Sequence, residues 1–546
     1  MKRRKTLEIL LGVSQPKKST TIAVTNSFDT YSGTWDFAAA AHLLRRTTFG
    51  PTKAEIEQAV EDGMESTIEQ LFGPTPDLDP PVYYDYENDP LVSLGETWID
   101  TLPPDLNGAN GARRRSFLSW RLQSMRDGRM HIIEKLALFW HNHFVVANSS
   151  AARQMYKYQE ILRRNALGNF KTFVEEITVD SSMLVYLSGT QNRDNGPNEN
   201  YARELMELFT LGKGPTVGPG DYTYYTEEDI VQIARALTGW RHVSPVTGGF
   251  DPTISRFREN LHDEGDKILS PRFDSQTISN EGENEYKRVI EIIFQKPRVA
   301  TFICEKLYRW FVHPEISPEA EANVIVPMAQ MMIDNNYEIR EVLMTLLSSE
   351  GFYEPSIRGC MIAHPIDHLF KVLSTFEVAM PTDYARDYTI MNIFRNLMSD
   401  HGMEIHFHPA VAGWKPFYQT PQLDKLWINS VSLGLRQTFT QRIIDGFNRQ
   451  GFRVELNVLD FVANLENPAD PNELIRELGD LIFVQSLDEN QITALKERLI
   501  PGLPDFEWTV EYGAYIQGDV ELEDAVKSKL KSLFETMVNM PEFHFN

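Results

Sequence analysis

Residues 113–144 read RRRSFLSWRLQSMRDGRMHIIEKLALFWHNHF. Leu118, Leu122 and Met125, and then Ile132, Leu136 and Trp140, recur at three- and four-residue intervals, the period of one face of an α-helix. This spacing predicts a helix over 113–141. The same period governs the chain on both sides: 38–46, 54–71, 153–166, 169–178, 198–212 and 226–239 first, then 285–296, 298–312, 317–335, 337–349, 364–379, 427–449, 456–465, 471–480 and 488–498. Thr52 with Glu55 three residues later is a capping box for the second of these. Only 507–520 carries a strand pattern. The expected fold class is mainly α, a multi-helix globular protein with loop-rich insertions and at most a small β-hairpin.

Composition limits what such a protein can do. With 53 Lys and Arg against 77 Asp and Glu among 546 residues, the net charge is −24, which opposes binding to nucleic acid through its phosphates. At 42% hydrophobic and 24% charged, the chain is too apolar for a disordered one and can bury large cores. Two cysteines, Cys304 and Cys360, are too few for a disulfide framework, a thiolate zinc site or an iron–sulfur cluster. No apolar run approaches the length of a transmembrane segment. Phosphate-binding loops, Gly-x-Ser-x-Gly elbows and His-Glu-x-x-His pairs are absent from the sequence.

Residues 1–33 are polar, with Arg3-Arg4 before a short apolar stretch that Glu8 interrupts, and read as a flexible tail or a degenerate twin-arginine leader. The helical periods then divide the chain into an N-terminal lobe (34–240), a loop-rich insertion (241–284), a second lobe (285–450) and a C-terminal helical region (451–546). One echo stands out: 342–352 and 533–543 are both amphipathic stretches that close on a phenylalanine.

Four segments could carry chemistry. In the first, His141 and His143 point about 200° apart on a helix but to one side of an extended chain, so joint metal ligation requires the helix to end near Trp140. In the second, Asn198 can cap a helix on which Asn200, Glu204 and Glu207 share a face, with Arg203 able to pair with Glu207 one turn on. Trp240 and Arg241 follow at the exit into the insertion, where His262 and Asp263 could form a ligand or acid–base pair. The last segment holds His406, His408 and Trp414. Each has a bland reading beside the chemical one: core histidines, a solvated acidic face, an acidic turn, an aromatic plug between helices.

In that order these segments, together with 42–51, 167–170, 225–230, 234–240 and 411–414, resemble the bacterial domain of unknown function 1800 family over roughly residues 35–545. The resemblance implies a protein often exported and commonly encoded beside a sulfatase-like partner, the domain of unknown function 1501 family. That points to the periplasm or cell envelope, or to the cytoplasm if the leader is not used. Two readings stay open. One is a helical scaffold or binding protein working with the sulfatase-like partner, or capturing carbohydrate if Trp240, Trp414 and Trp427 are exposed. The other is a metal-dependent hydrolase or oxidoreductase in which His141, His143, Glu204, Glu207, His262 and Asp263 converge on a divalent metal; such ligands would suit Zn, Mn or Fe.

Overall fold

Asp36 opens helix Phe37–Thr47 by accepting the Ala39 N–H, and the capping box of Thr52 and Glu55 opens the next, Lys53–Leu71. The computed structural model describes residues 27–85, 89–102, 108–147, 149, 151–243 and 253–546. Helices dominate these residues. The strands form four two-stranded antiparallel ribbons, pairing 216–218 with 221–222, 240–242 with 255–257, 267–268 with 277–278, and 447–449 with 452–454. Two of the ribbons lie at or within the loop-rich insertion, of which 244–252 is outside the described residues.

The helix expected over 113–141 is two helices, Ala109–Asp127 and Ile133–His143. Gly128 and Met130, the latter at φ 50°, turn the chain between them. A Cβ at Gly128 would stand 2.9 Å from the Ser124 carbonyl and 3.0 Å from Glu134 Cγ, so the turn closes only around glycine. The apolar period runs through this break because both helices are deeply buried, the second on every side. Glu134 then ties three helices together, receiving Arg121 at 2.6 Å and Arg163 of helix Ala152–Arg164 at 2.6 Å.

Two further readings are corrected. The strand-like 507–520 is helical, Asp505–Ile516, because Trp508 and Tyr512 stack one turn apart on its buried side at 5.3 Å. The helix Tyr384–Asp400, absent from the sequence reading, packs along Ala109–Asp127 and buries Tyr388, Met391, Phe394 and Met398, with Ser119 donating to the Tyr388 carbonyl at 2.9 Å. Its polar residues hide that period; buried Asp387 instead receives Gln123 and Arg126.

The chain is held against the body from Ser27. Gly351 N donates to Ser27 O, Tyr31 N to Ser348 O, and the Tyr31 ring lies 4.4 Å from that of Tyr353. Residues 1–26, with the leader, are outside the described residues. A continuous hydrophobic core runs from Ala39 to Phe543. Helix Phe37–Thr47 docks on distant parts of the chain: His42 bonds the Phe352 carbonyl, and Arg45 donates to the carbonyls of Asp480 and Leu481. Among the described residues, no helix is long and apolar enough to cross a membrane.

Candidate functional site

Helix Ile133–His143 continues through His143 instead of ending near Trp140, so its two histidines face different neighbours. His141 donates from Nε2 to the Val146 carbonyl at 3.0 Å, and its ring lies 4.2 Å from that of His406 and 4.5 Å from that of His408. His143 donates from Nε2 to the Phe209 carbonyl at 3.1 Å, which leaves the Nδ1 lone pair to accept from Lys306 Nζ at 3.2 Å.

The acceptor of that first bond exists because of a local irregularity. The helix that begins at Asn200 passes at Leu205–Thr210 into a π-helix, whose wider turns bring the chain to an early end at Gly212. Its terminal carbonyls lack helical partners and draw donors from neighbouring elements. Leu208 O receives Lys306 at 3.2 Å, Phe209 O receives His143, and Leu211 O receives Arg298 at 3.0 Å. Lys306 and Arg298 both belong to helix Arg298–Phe311.

The space between these elements is a cavity of about 350 Å³. Phe139, Leu208, Phe302, Trp310, Phe417 and Leu423 supply apolar wall, while His143, Lys306, Glu207, Lys213 and Arg309 supply the polar groups. One wall is the loop after Ala412. It is fixed by Asn142, whose Oδ1 accepts the Trp414 N–H at 2.9 Å. Gly413, at φ 91°, passes so close to Asn142 that a Cβ would lie 2.2 Å from its Oδ1.

Electrostatics set Lys306 apart. Among the described residues it makes no ion pair, and burial together with the Arg309 charge pushes its amine down to about 7. Burial and the Lys306 charge hold His143 well below the usual imidazole range. The imidazole is therefore neutral, and the amine, held near 7 beside the Phe302 ring at 4.9 Å, populates its neutral form at physiological pH. Glu207 closes the other side of the cavity, 3.5 Å from Lys213 and accepting the Tyr225 hydroxyl at 3.3 Å. Burial, then the Glu207 charge, raises Glu204 above the ordinary carboxylate value. A second groove of about 460 Å³ is lined by charges already matched, Lys53 with Glu477 and Arg476 with Glu473.

The remaining sequence candidates lie elsewhere. Arg203 turns to Glu227 and Glu199 instead of Glu207. Asn198 Oδ1 accepts the Asn200 N–H at 3.0 Å as the helix starts, and Asn200 reaches Leu187 O. His262 bonds Glu285 at 3.0 Å and Thr238 O at 2.9 Å; burial opposes its charge, but Glu285 and the Thr238 carbonyl together outweigh burial and raise the imidazole. Asp263 is clasped by Arg235 at 2.8 and 3.0 Å. Trp240 packs edge-on against Phe257 and Tyr286, and Arg241 donates to Asn192 O. Trp414 and Trp427 are buried, against the exposure that carbohydrate capture by them would require. The six side chains expected around a metal are thus divided: His143 and Glu207 share the cavity, Glu204 lies half-buried at the end of helix Asn200–Glu204 outside the cavity lining, His141 sits in a histidine cluster, and His262 and Asp263 lock the insertion to neighbouring helices. Among the described residues, no group of three or more His, Cys, Asp or Glu side chains is arranged to hold a metal ion.

Three of the four sequence segments thus meet at one cavity in a mainly helical body, with Phe139, Asn142 and His143 from the first, Glu207 and Leu208 from the second and Ala412 from the last. No curated protein and no solved structure matches the chain. The model of one family, described as protein of unknown function (DUF1800), matches residues 42–545, and the chain belongs to that family.

The cavity's central residue, Lys306, was missed in sequence. Its signal is a charge on an apolar stripe: Lys306 stands three residues after Ile303 and four before Trp310, both buried.

Proposed function

We propose that the protein binds a small, largely apolar organic molecule in the Lys306 cavity, with one polar group of the ligand received by His143 and Lys306. The observation that supports this most is a lysine amine that makes no ion pair among the described residues and lines an apolar space of ligand size. The test is equilibrium binding of the fluorescent probe 1-anilinonaphthalene-8-sulfonate, whose aromatic body and single polar group suit the space. One molecule per chain is expected to bind the native protein. Leu208→Trp, which fills the cavity, should abolish that binding while leaving the thermal transition in place. Binding unchanged in Leu208→Trp would contradict the proposal.

A second reading has its own support. Around helix Asp505–Ile516, Phe506, Val510 and Val520 are 61%, 64% and 77% exposed, an apolar surface of the kind that docks a protein. In this reading the protein also works with the sulfatase-like partner suggested by the family resemblance, at the cell envelope. Co-purification of that partner with the native protein, lost in Phe506→Glu/Val510→Glu, is the expected result.

A further inference from the structure

We infer that Lys306 forms a reversible covalent imine with an aldehyde or ketone carried by the ligand of this cavity. The inference rests on the binding reading above and names the chemistry at the same site.

The argument starts from what an amine in this place can do. Lys306 Nζ is held by two hydrogen bonds, to Leu208 O and His143 Nδ1, both at 3.2 Å, and it lines the cavity that Phe302, Trp310 and Phe417 wall with apolar surface. Two fixed contacts orient the nitrogen without consuming the lone pair of a neutral amine. The nearby positive charge of Arg309 and the burial of the amine both favour that neutral form. Attack on an ester or amide would leave a stable amide on the lysine, a dead end. Attack on an aldehyde or ketone is reversible, and loss of water from the adduct leaves an imine that hydrolysis can undo.

The step balances with the groups present. Nζ bonds to the carbonyl carbon as the C=O π bond breaks, and the nitrogen gives up one proton, for which the Nδ1 lone pair of His143 is the adjacent acceptor. The proton returns to the carbinolamine oxygen. The C–O bond then breaks, the second N–H proton leaves with the oxygen as water, and the C=N bond remains. No oxidant or reductant enters. His143 stays in position because its other nitrogen is committed to Phe209 O.

The experiment uses 3-phenylpropanal as probe and 3-phenylpropanol as an isostere that cannot form an imine. The native full-length protein is incubated with the aldehyde and cyanoborohydride, digested and mapped by mass spectrometry. The expected result is one addition per chain on the peptide carrying Lys306, of the aldehyde's mass less one oxygen, well before the other lysines react. Lys306→Met should lose the adduct while still binding the alcohol, measured by displacement of the anilinonaphthalene probe. His143→Gln, which keeps a bond to the lysine but removes the proton acceptor, should slow trapping at least tenfold. If the alcohol displaces the probe but the aldehyde labels Lys306 no faster than surface lysines, the imine is overturned and the binding site stands. If neither compound displaces the probe and no selective adduct forms, the binding reading itself fails with it.

Discussion

Glu134 shows what single buried charges do in this protein. It is 1% exposed, and the Arg121 and Arg163 guanidinium groups outweigh burial to hold its carboxyl below the ordinary value. Removing it would strand Arg121, itself 2% exposed, without its partner. Glu134→Ala is therefore expected to lower the unfolding free energy by about 3–5 kcal/mol, read from urea denaturation. A loss below about 1 kcal/mol would mean that the arginines find other acceptors. Lys306 is the opposite case, a charge-bearing side chain that makes no ion pair among the described residues. At this scale the sequence showed which residue types could do chemistry, but not their partners. His141 and His143 looked like a pair because they are close in sequence, whereas a helix that continues through both sends them to different neighbours.

Helix ends, more than helix middles, build the cavity. The π-helix Leu205–Thr210 presents its carbonyls to His143 and Lys306, and the Asn142–Trp414 bond sets the opposing loop. Gly413→Ala would place a methyl group inside Asn142 at a left-handed backbone position. It is expected to destabilise the protein by about 1–3 kcal/mol in thermal or urea unfolding and to weaken probe binding, because the displaced wall carries Ala412. Most helices were legible as periods of apolar residues, including the pair flanking Pro297 and the capped start at Thr52. The π-helix was not, since its sequence continues the helical period and only the tertiary demand for carbonyl acceptors shows why it widens. Helix Tyr384–Asp400 escaped for a different reason: its buried polar contacts blur the stripe. The echo of 342–352 in 533–543 has a structural meaning. Each ends in a short turn that sets a phenylalanine beside a histidine of a neighbouring helix, Phe352 at 4.6 Å from His42 and Phe543 at 5.7 Å from His368.

Across the whole molecule, histidine is a core residue. Burial holds His42, His143, His368, His406 and His408 well below the ordinary imidazole value, His141 and His364 at about 4, and His544 at about 3. The unfolded chain binds protons at these positions below about pH 6.5 while the folded chain refuses them, so their contribution is present above that pH and is lost as pH falls. The urea midpoint is expected to fall steadily from pH 6.5 to pH 4. His262, raised by Glu285, acts in the opposite direction but is a single group. A midpoint constant over that range would contradict the burial of these rings as neutral species. The central claim, that Lys306 faces the cavity as a near-neutral amine, is tested by measuring the pH dependence of acetic anhydride labelling at every lysine of the native chain by peptide mass spectrometry. Lys306 is expected to titrate with a midpoint near 7, well below the exposed lysines, and Leu208→Trp should shield it. A midpoint near 10, shared with the surface lysines, would make Lys306 a charged cap on the carbonyls of Leu208–Phe209 and would contradict the account.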